Sequence, residues 1–254
     1  MLSYMERGRL GAKNFWKKYK SDDIFRNKIL EKWRKIRIRN YEKSLESFKK
    51  LNEEESEILK SRLCGFLAAD GSVFIRKELR TEKVHYEIRF YPDDYALVEL
   101  FNKSFERLYG KKVFYKQDGK YFRISISNKF AVRDLLSISK FSSKNWTLPK
   151  ILKSKESKIE WLKAYFDCDG YVCKKYIQVQ SVNKNGLNQI SKLLKEFGIV
   201  SKIYVYERKQ KSWNINYLLN INGKVMMTKF LKEIGFNHTL KKNKLQELIK
   251  AGVA

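Results

Sequence analysis

The chain has 254 residues, 43% of them apolar, with 55 lysines and arginines against 28 acids, a formal net charge of +27. That length supports one large domain or two small ones with true cores, and so much charge is costly by self-repulsion unless a polyanion offsets it. No run of 18 apolar residues or signal-peptide core occurs, and three cysteines (Cys64, Cys168, Cys173) with two histidines and no CxxC pair argue against a membrane partner, a zinc finger, Cys/His catalysis and a secreted disulfide scaffold.

Residues 1–55 read as a basic helical N-terminal extension. Residues 1–50 hold 16 Lys/Arg against 6 Asp/Glu. Phe25, Ile29, Trp33 and Ile36 recur at helical spacing, with Arg34, Lys35, Arg37 and Arg39 around them. Two readings stand here: a solvated basic helix packed on the body, or an added DNA-contacting arm.

From residue 56 the chain repeats itself. The first copy, 56–143, opens with a helix from Ser56 to Ala69. Strands follow over 72–79 and 84–91, then the helix "DDYALVELFNKSFERLYG" closing at Gly110, strands "KVFYK" and "YFRISIS", and the helix "KFAVRDLLSI". After a linker at 144–155, the second copy, 156–254, gives a helix ending at Asp169 and strands within "GYVCKKYIQVQSV". A helix closing at Gly198, strands "SKIYVYERK" and "SWNINYLLNIN", and the helix "KVMMTKFLKEIG" complete it. Both copies read αββαββα, which predicts an α+β protein with two antiparallel four-stranded sheets. Asp70 to Gly110 is 40 residues and Asp169 to Gly198 is 29, so the halves are unequal.

Several strands alternate. Arg123 and Ser125 oppose Phe122, Ile124 and Ile126. Gln178 and Gln180 oppose Ile177 and Val179. Tyr204, Tyr206 and Arg208 oppose Ile203 and Val205, and Asn214 and Asn216 oppose Trp213, Ile215 and Tyr217. An antiparallel sheet with one face on a helical core has this pattern. The polar face is rich in side chains that hydrogen-bond to base edges and phosphates. With Arg76 and Arg89 of the first two strands, these are the candidate DNA contacts.

Two stretches share a plan: "RLCGFLAADGSV" (62–73) and "WLKAYFDCDGYV" (161–172). Asp70-Gly71 and Asp169-Gly170 lie 99 residues apart. Gly65 and Ala69 are four apart, as are Ala164 and Cys168, so each helix carries a small-residue face on which the two could pack. Gly71 and Gly170 are read as letting the chain turn sharply from helix into strand. A carboxylate at a helix C-terminus opposes the macrodipole, and two side by side repel. A divalent cation would explain the arrangement; oxygen ligands suit Mg²⁺ and the chemistry of phosphodiester hydrolysis.

"LCGFLAADG" (63–71) and "LKAYFDCDG" (162–170) resemble the paired motifs of single-chain LAGLIDADG homing endonucleases. The resemblance extends over residues 56 to about 250. It implies a saddle of two four-stranded sheets in the DNA major groove, with the motif helices at the central interface. It further implies cleavage of both strands across the minor groove, leaving short 3′ overhangs. Asp70 and Asp169 are the implied metal ligands, with Ala69 and Cys168 beside them in the same site, and Mg²⁺ is the implied ion (Mn²⁺ or Ca²⁺ taking the same place). The earlier motif acid is Ala68 in one copy and Asp167 in the other, and Lys163 stands where a small residue is usual. A basic residue near each active site is matched by Lys144 and Lys241, 74 and 72 residues past the two acids, with Lys242 as a rival. Ser181 and Asn183 resemble positions that hold solvent near the scissile phosphate.

The expectation is an intracellular, metal-dependent endodeoxyribonuclease, in the cytoplasm or nucleoid of a prokaryote or in an organelle. It should act as a monomer on a long, pseudo-symmetric or asymmetric duplex, with no small-molecule cofactor. An RNA maturase or a non-cleaving DNA-binding regulator on the same fold is the alternative; the presence of both acids favours cleavage. A protein-splicing element would need a terminal nucleophile and an Asn-type end, which Met1-Leu2 and Gly252-Val253-Ala254 do not offer.

Overall fold

The computed structural model describes residues 4–79, 81–206 and 214–251. These fall into two compact units, 1–43 and 44–254. Among the described residues no helix is long and apolar enough to cross a membrane.

The first unit contains α1 (Tyr4–Ser21) and most of α2 (Asp23–Lys49). The Asp22 carboxylate accepts the Phe25 N–H at 2.8 Å and so starts α2. An aromatic cluster holds the two helices together. Phe15 stacks on Tyr19 at 6.1 Å and meets Phe25 edge-on at 5.7 Å, while Tyr19 packs on Trp33 at 5.7 Å. Phe25 and Trp33 of the helical pattern therefore face α1 in a hairpin, whereas Ile36 of the same pattern is exposed.

The second unit is the duplication. Its first half runs α3 (Glu53–Asp70), β1 (Gly71–Lys77), β2 (Val84–Phe90), α4 (Tyr95–Tyr109), β3 (Tyr115–Asp118), β4 (Tyr121–Ile126) and α5 (Lys129–Ile138). Its second half runs α6 (Lys155–Asp169), β5 (Tyr171–Val172), β6 (Tyr176–Ser181), α7 (Lys184–Glu196), β7 (Lys202–Tyr206), β8 (Asn216–Asn222) and α8 (Lys224–Glu233), then an added α9 (Thr239–Lys250). Each half forms one antiparallel sheet, in the orders β1-β2-β4-β3 and β5-β6-β8-β7. Strand β5 is two residues long, and β3 starts at Tyr115, later than the sequence pattern suggests.

Local chemistry explains the boundaries. Asn52, Asp94, Asn128, Ser154 and Asn183 each accept a backbone N–H at a helix start. Gly110 ends α4 at φ 63° and Gly198 follows α7 at φ 66°, left-handed conformations that favour glycine. Strand alternation buries Ile88, Phe90, Ile124 and Ile126 in one half and Ile177, Val179, Leu219 and Ile221 in the other. Each such side chain contributes roughly 1.5–3 kcal/mol of transfer free energy.

The halves join along α3 and α6. A Cβ on Gly65 would lie 2.5 Å from the Trp161 carbonyl oxygen and 2.8 Å from Ala164 Cβ. The helix backbones are that close only because Gly65 has no side chain. Arg62 pairs with Glu160 at 2.7 Å, and Lys163, the departure from a small residue, meets the same carboxylate at 3.2 Å. At the other end Glu57 of α3 accepts the N–H groups of Lys153 and Ser154 at 2.9 and 2.8 Å, so one half caps the entry to the other's helix.

The sharp turns at Gly71 and Gly170 do not rest on a backbone conformation special to glycine. Gly71 is extended (φ −134°) and Gly170 has φ −72°, both ordinary for any residue. Space is the reason for glycine there. A Cβ at Gly71 would stand 2.7 Å from Leu67 Cα, and one at Gly170 would overlap the Phe166 carbonyl.

Candidate metal and nucleic-acid site

Asp70 and Asp169 are the last residues of α3 and α6, and both are half-buried. Burial and the neighbouring Asp70 charge push Asp169 up to about 7, against the opposing pull of Tyr165 and Lys241. Asp70 is also raised, by burial first and then Asp93, with Lys241 and Cys168 opposing. Asp169 thus senses the Asp70 charge, and both acids sense the Lys241 cation. Among the described residues no group of three His, Cys, Asp or Glu side chains is gathered as a closed metal cage. Two oxygen donors of like charge fit a hard divalent ion that completes its shell with water and phosphate.

Lys241 lies in α9, and its ammonium donates to the Asp167 and Cys168 carbonyl oxygens, the latter at 2.7 Å. A cation at a helix C-terminus interacts favourably with the macrodipole. Lys242 is exposed, so of the two rivals only Lys241 reaches the end of α6. Lys144 sits exposed in the turn at 143–145. Cys168 presents its carbonyl to Lys241, while Ala69 packs against the core beside Asp70. Lys241 is placed by Asp167. That side chain is fully buried and accepts the N–H groups of Asn237 and His238 at 2.8 and 2.9 Å and the Asn237 amide at 3.0 Å. Burial raises it to about 6 despite those bonds. The motif position that is Ala68 in the first half is therefore a clamp on the loop before α9 in the second.

Sequence reasoning missed a cross-repeat cluster at the same place. Buried His238 stands with Nε2 3.4 Å from Asp93 Oδ1 and Nδ1 3.2 Å from Asp94 Oδ2. The same Asp94 caps α4 through Ala96 N–H and accepts Thr239 N–H at 2.7 Å. Asp93 is held below the usual carboxylate range, chiefly by His238, with burial opposing. Asp93, Asp70, Arg123, Tyr91, Tyr121 and Cys168 line one cavity of about 480 Å³. The "PDDY" helix start was the available signal, but its partners lie 145 residues away.

Ser181 and Asn183 have structural partners at the start of α7. Asn183 is buried, caps α7 through Gly186 N–H at 3.0 Å and donates to the Trp146 carbonyl at 2.7 Å. Ser181 accepts from Asn183 N–H and Trp146 Nε1. These bonds hold the start of α7 against Trp146, so Asn183 serves the fold as a cap and a tie to that loop.

The predicted sheet contacts share faces. In the first sheet Arg76 is across from His85, and Arg89 from Ser125 on one side and Ser72 on the other, with Arg123 opposite Lys116. All lie opposite the buried Ile88, Ile124 and Ile126. Arg89 is held by Glu87 at 3.0 Å and lies over Phe74, so it is pre-oriented. In the second sheet Gln178 pairs with Asn220, Tyr204 with Leu218 and Tyr206 with Asn216, on the face that also carries Gln180. Gln178 donates to Asn220 at 2.8 Å, a partner the sequence did not single out. Asn216 is buried although on that face, Asn214 is exposed before β8, and Arg208 falls outside the described residues.

Residues 156–235 match the family model of the LAGLIDADG-like domain. A probable translation initiation factor IF-2 of Methanocaldococcus jannaschii is 37% identical over 144 residues, 53% of this chain and 12% of that protein. A replication factor C small subunit of Thermococcus kodakarensis is 34% identical over 90 residues, 35% of this chain and 10% of that protein. The M. jannaschii glutamine–fructose-6-phosphate aminotransferase is 24% identical over 196 residues, 17% of its length. The chain thus spans about a tenth to a sixth of the length of these relatives. Among solved structures, mesophilic variants of the homing endonuclease I-DmoI superpose with a TM-score of 0.59 at 18% identity, over 71% of this chain and 97% of theirs. I-DmoI in complex with DNA and Ca gives 0.58 over 71% and 90%. The fold is that of the LAGLIDADG homing endonucleases.

Proposed function

We propose that this chain, which carries a LAGLIDADG-like domain on the homing-endonuclease fold, is a site-specific double-strand DNA endonuclease that depends on a divalent metal. The observation that carries the reading is the pair of mutually repelling carboxylates, Asp70 and Asp169, at the shared end of α3 and α6. Their ionised forms are unfavourable unless positive charge is supplied, and their oxygens fit Mg²⁺, with Mn²⁺ or Ca²⁺ able to substitute. When bound, such an ion supplies charge neutralisation to a phosphodiester and polarises water. Lys241 adds a fixed cation beside both acids, and Arg123 and Asp93 line the cavity next to Asp70. The polar sheet faces would dock the duplex and read bases. Two unequal halves in one chain suit a monomer on an asymmetric target.

The relatives support homing. A translation factor, a replication factor subunit and an aminotransferase have no activity in common, and each shares only a small part of its length with this chain. Each matches this chain over 10–17% of its own length, and a segment carried inside unrelated proteins would have the distribution of a mobile element. Cutting a specific DNA site is the activity that moves such an element.

The test is a plasmid carrying the gene's flanking sequences joined without interruption. Incubation with the protein and Mg²⁺ should linearise it; EDTA or Asp70→Asn should not. Tight binding without a cut in any of several divalent ions would transfer the reading to a maturase or regulator, with RNA tried next.

A further inference from the structure

The α1–α2 hairpin lies outside the duplication, and the acids and sheet faces give it no role. Residues 1–43 carry 14 lysines and arginines against 5 acids. On α2, Lys28, Lys32, Lys35 and Arg39 follow each other at i, i+4, i+7 and i+11, which sets four cations along one face. At 1.5 Å per residue the stripe runs about 16 Å. All four are exposed, and so is every residue from 30 to 43, including Ile36 and Ile38. Glu31 pairs with Lys35 and is the only acid among residues 24–41. Like charges at i, i+4 destabilise a helix. A row of them is relieved by a polyanion, and its length and rigidity suit a line of phosphates.

We infer that this stripe is a second binding surface, for the phosphate backbone of duplex DNA, and that it supplies sequence-independent affinity. The identity of the polyanion rests on the endonuclease reading. The aromatic residues decide between duplex and single strand. Unpaired bases are held by stacking on free rings. Here Tyr19 and Trp33 pack on each other, Trp16 meets Tyr19 edge-on at 5.4 Å, and Phe15 contacts Phe25; Trp16 and Trp33 keep an exposed side, but each already has an aromatic neighbour and neither is one of the four positions of the stripe. What the α2 stripe presents outward is ammonium and guanidinium on aliphatic stems, the chemistry of backbone contact.

The test compares the full-length protein with Lys28→Gln/Lys32→Gln/Lys35→Gln/Arg39→Gln. Glutamine keeps helix propensity, and circular dichroism checks that the helix survives. Binding to a random-sequence duplex is measured without metal across a salt series, so the result stands whether or not the protein cleaves. The slope of log K against log salt should flatten by roughly 3 to 4, about 0.9 for each phosphate that is no longer neutralised. Lys28→Arg/Lys32→Arg/Lys35→Arg should keep the wild-type slope. An unchanged slope in the glutamine variant would overturn the proposal. So would a loss confined to an RNA duplex or to single strands, or a change of oligomeric state by sedimentation that accounts for the weaker binding.

Discussion

Ionised carboxylates at the C-termini of two packed helices oppose both dipoles and each other. Asp169→Asn should therefore stabilise the metal-free protein at pH 8, by about 0.5–2 kcal/mol, while abolishing double-strand cleavage. Thermal unfolding in EDTA reads the first effect, as a rise in Tm of a few degrees; a fall would mean that the acid is structural. Glu57 has the opposite sign. Burial alone would raise it, but bonds from Ser157, Ser154 and Lys153 hold it down at about 2. Its folded value lies below the unfolded one, so its contribution is complete above about pH 4.5 and is lost as the pH falls toward 2. Glu57→Ala should cost about 0.5–2 kcal/mol at pH 7, by urea denaturation, with the gap shrinking below pH 4.5.

At the scale of elements, the glycines separate two kinds of constraint. Gly65→Ala puts a methyl 2.5 Å from a backbone carbonyl of the partner helix, which cannot yield without moving the helix. It should cost roughly 1–3 kcal/mol or more and disturb the acid pair. Gly11, inside α1, has nothing within 4 Å of an added Cβ, so Gly11→Ala should gain roughly 0.5–1 kcal/mol of helix stability. Denaturation and helicity measurements on the two variants check the contrast. The duplicated element order, the two sheets and the close approach at Gly65 were legible because period-2 alternation and spacing of four are local signals. The reason for Gly71 and Gly170 was not, because a shortage of space depends on Leu67 and Phe166 once they are folded back. The structural role of Asn183 was hidden for the same cause: a polar residue at a helix start reads as cap and as ligand alike, and its bond to Trp146 exists only in the fold. Lys241 was legible only as one of two neighbours; Asp167 selects it by fixing the loop that precedes α9. The Asp93–His238 contact joins residues from opposite repeats, and no local pattern announces it.

At the scale of the molecule, the net charge of +27 is distributed by task. The sheet faces mix arginine with amides, serine and tyrosine, suited to reading, whereas the α2 stripe is cationic alone, suited to holding. The helix pair between the sheets has a further consequence on the proposed function. The acids ride on α3 and α6 at a distance fixed by Gly65, Ala164 and the Trp161 backbone, none of which would meet a base. The separation of the two cuts would then behave like the gap of a caliper, indifferent to what lies between its jaws. Drift on the sheets could rewrite the address while the stagger of the break stays the same. A lineage of such proteins would change targets freely and keep one overhang length.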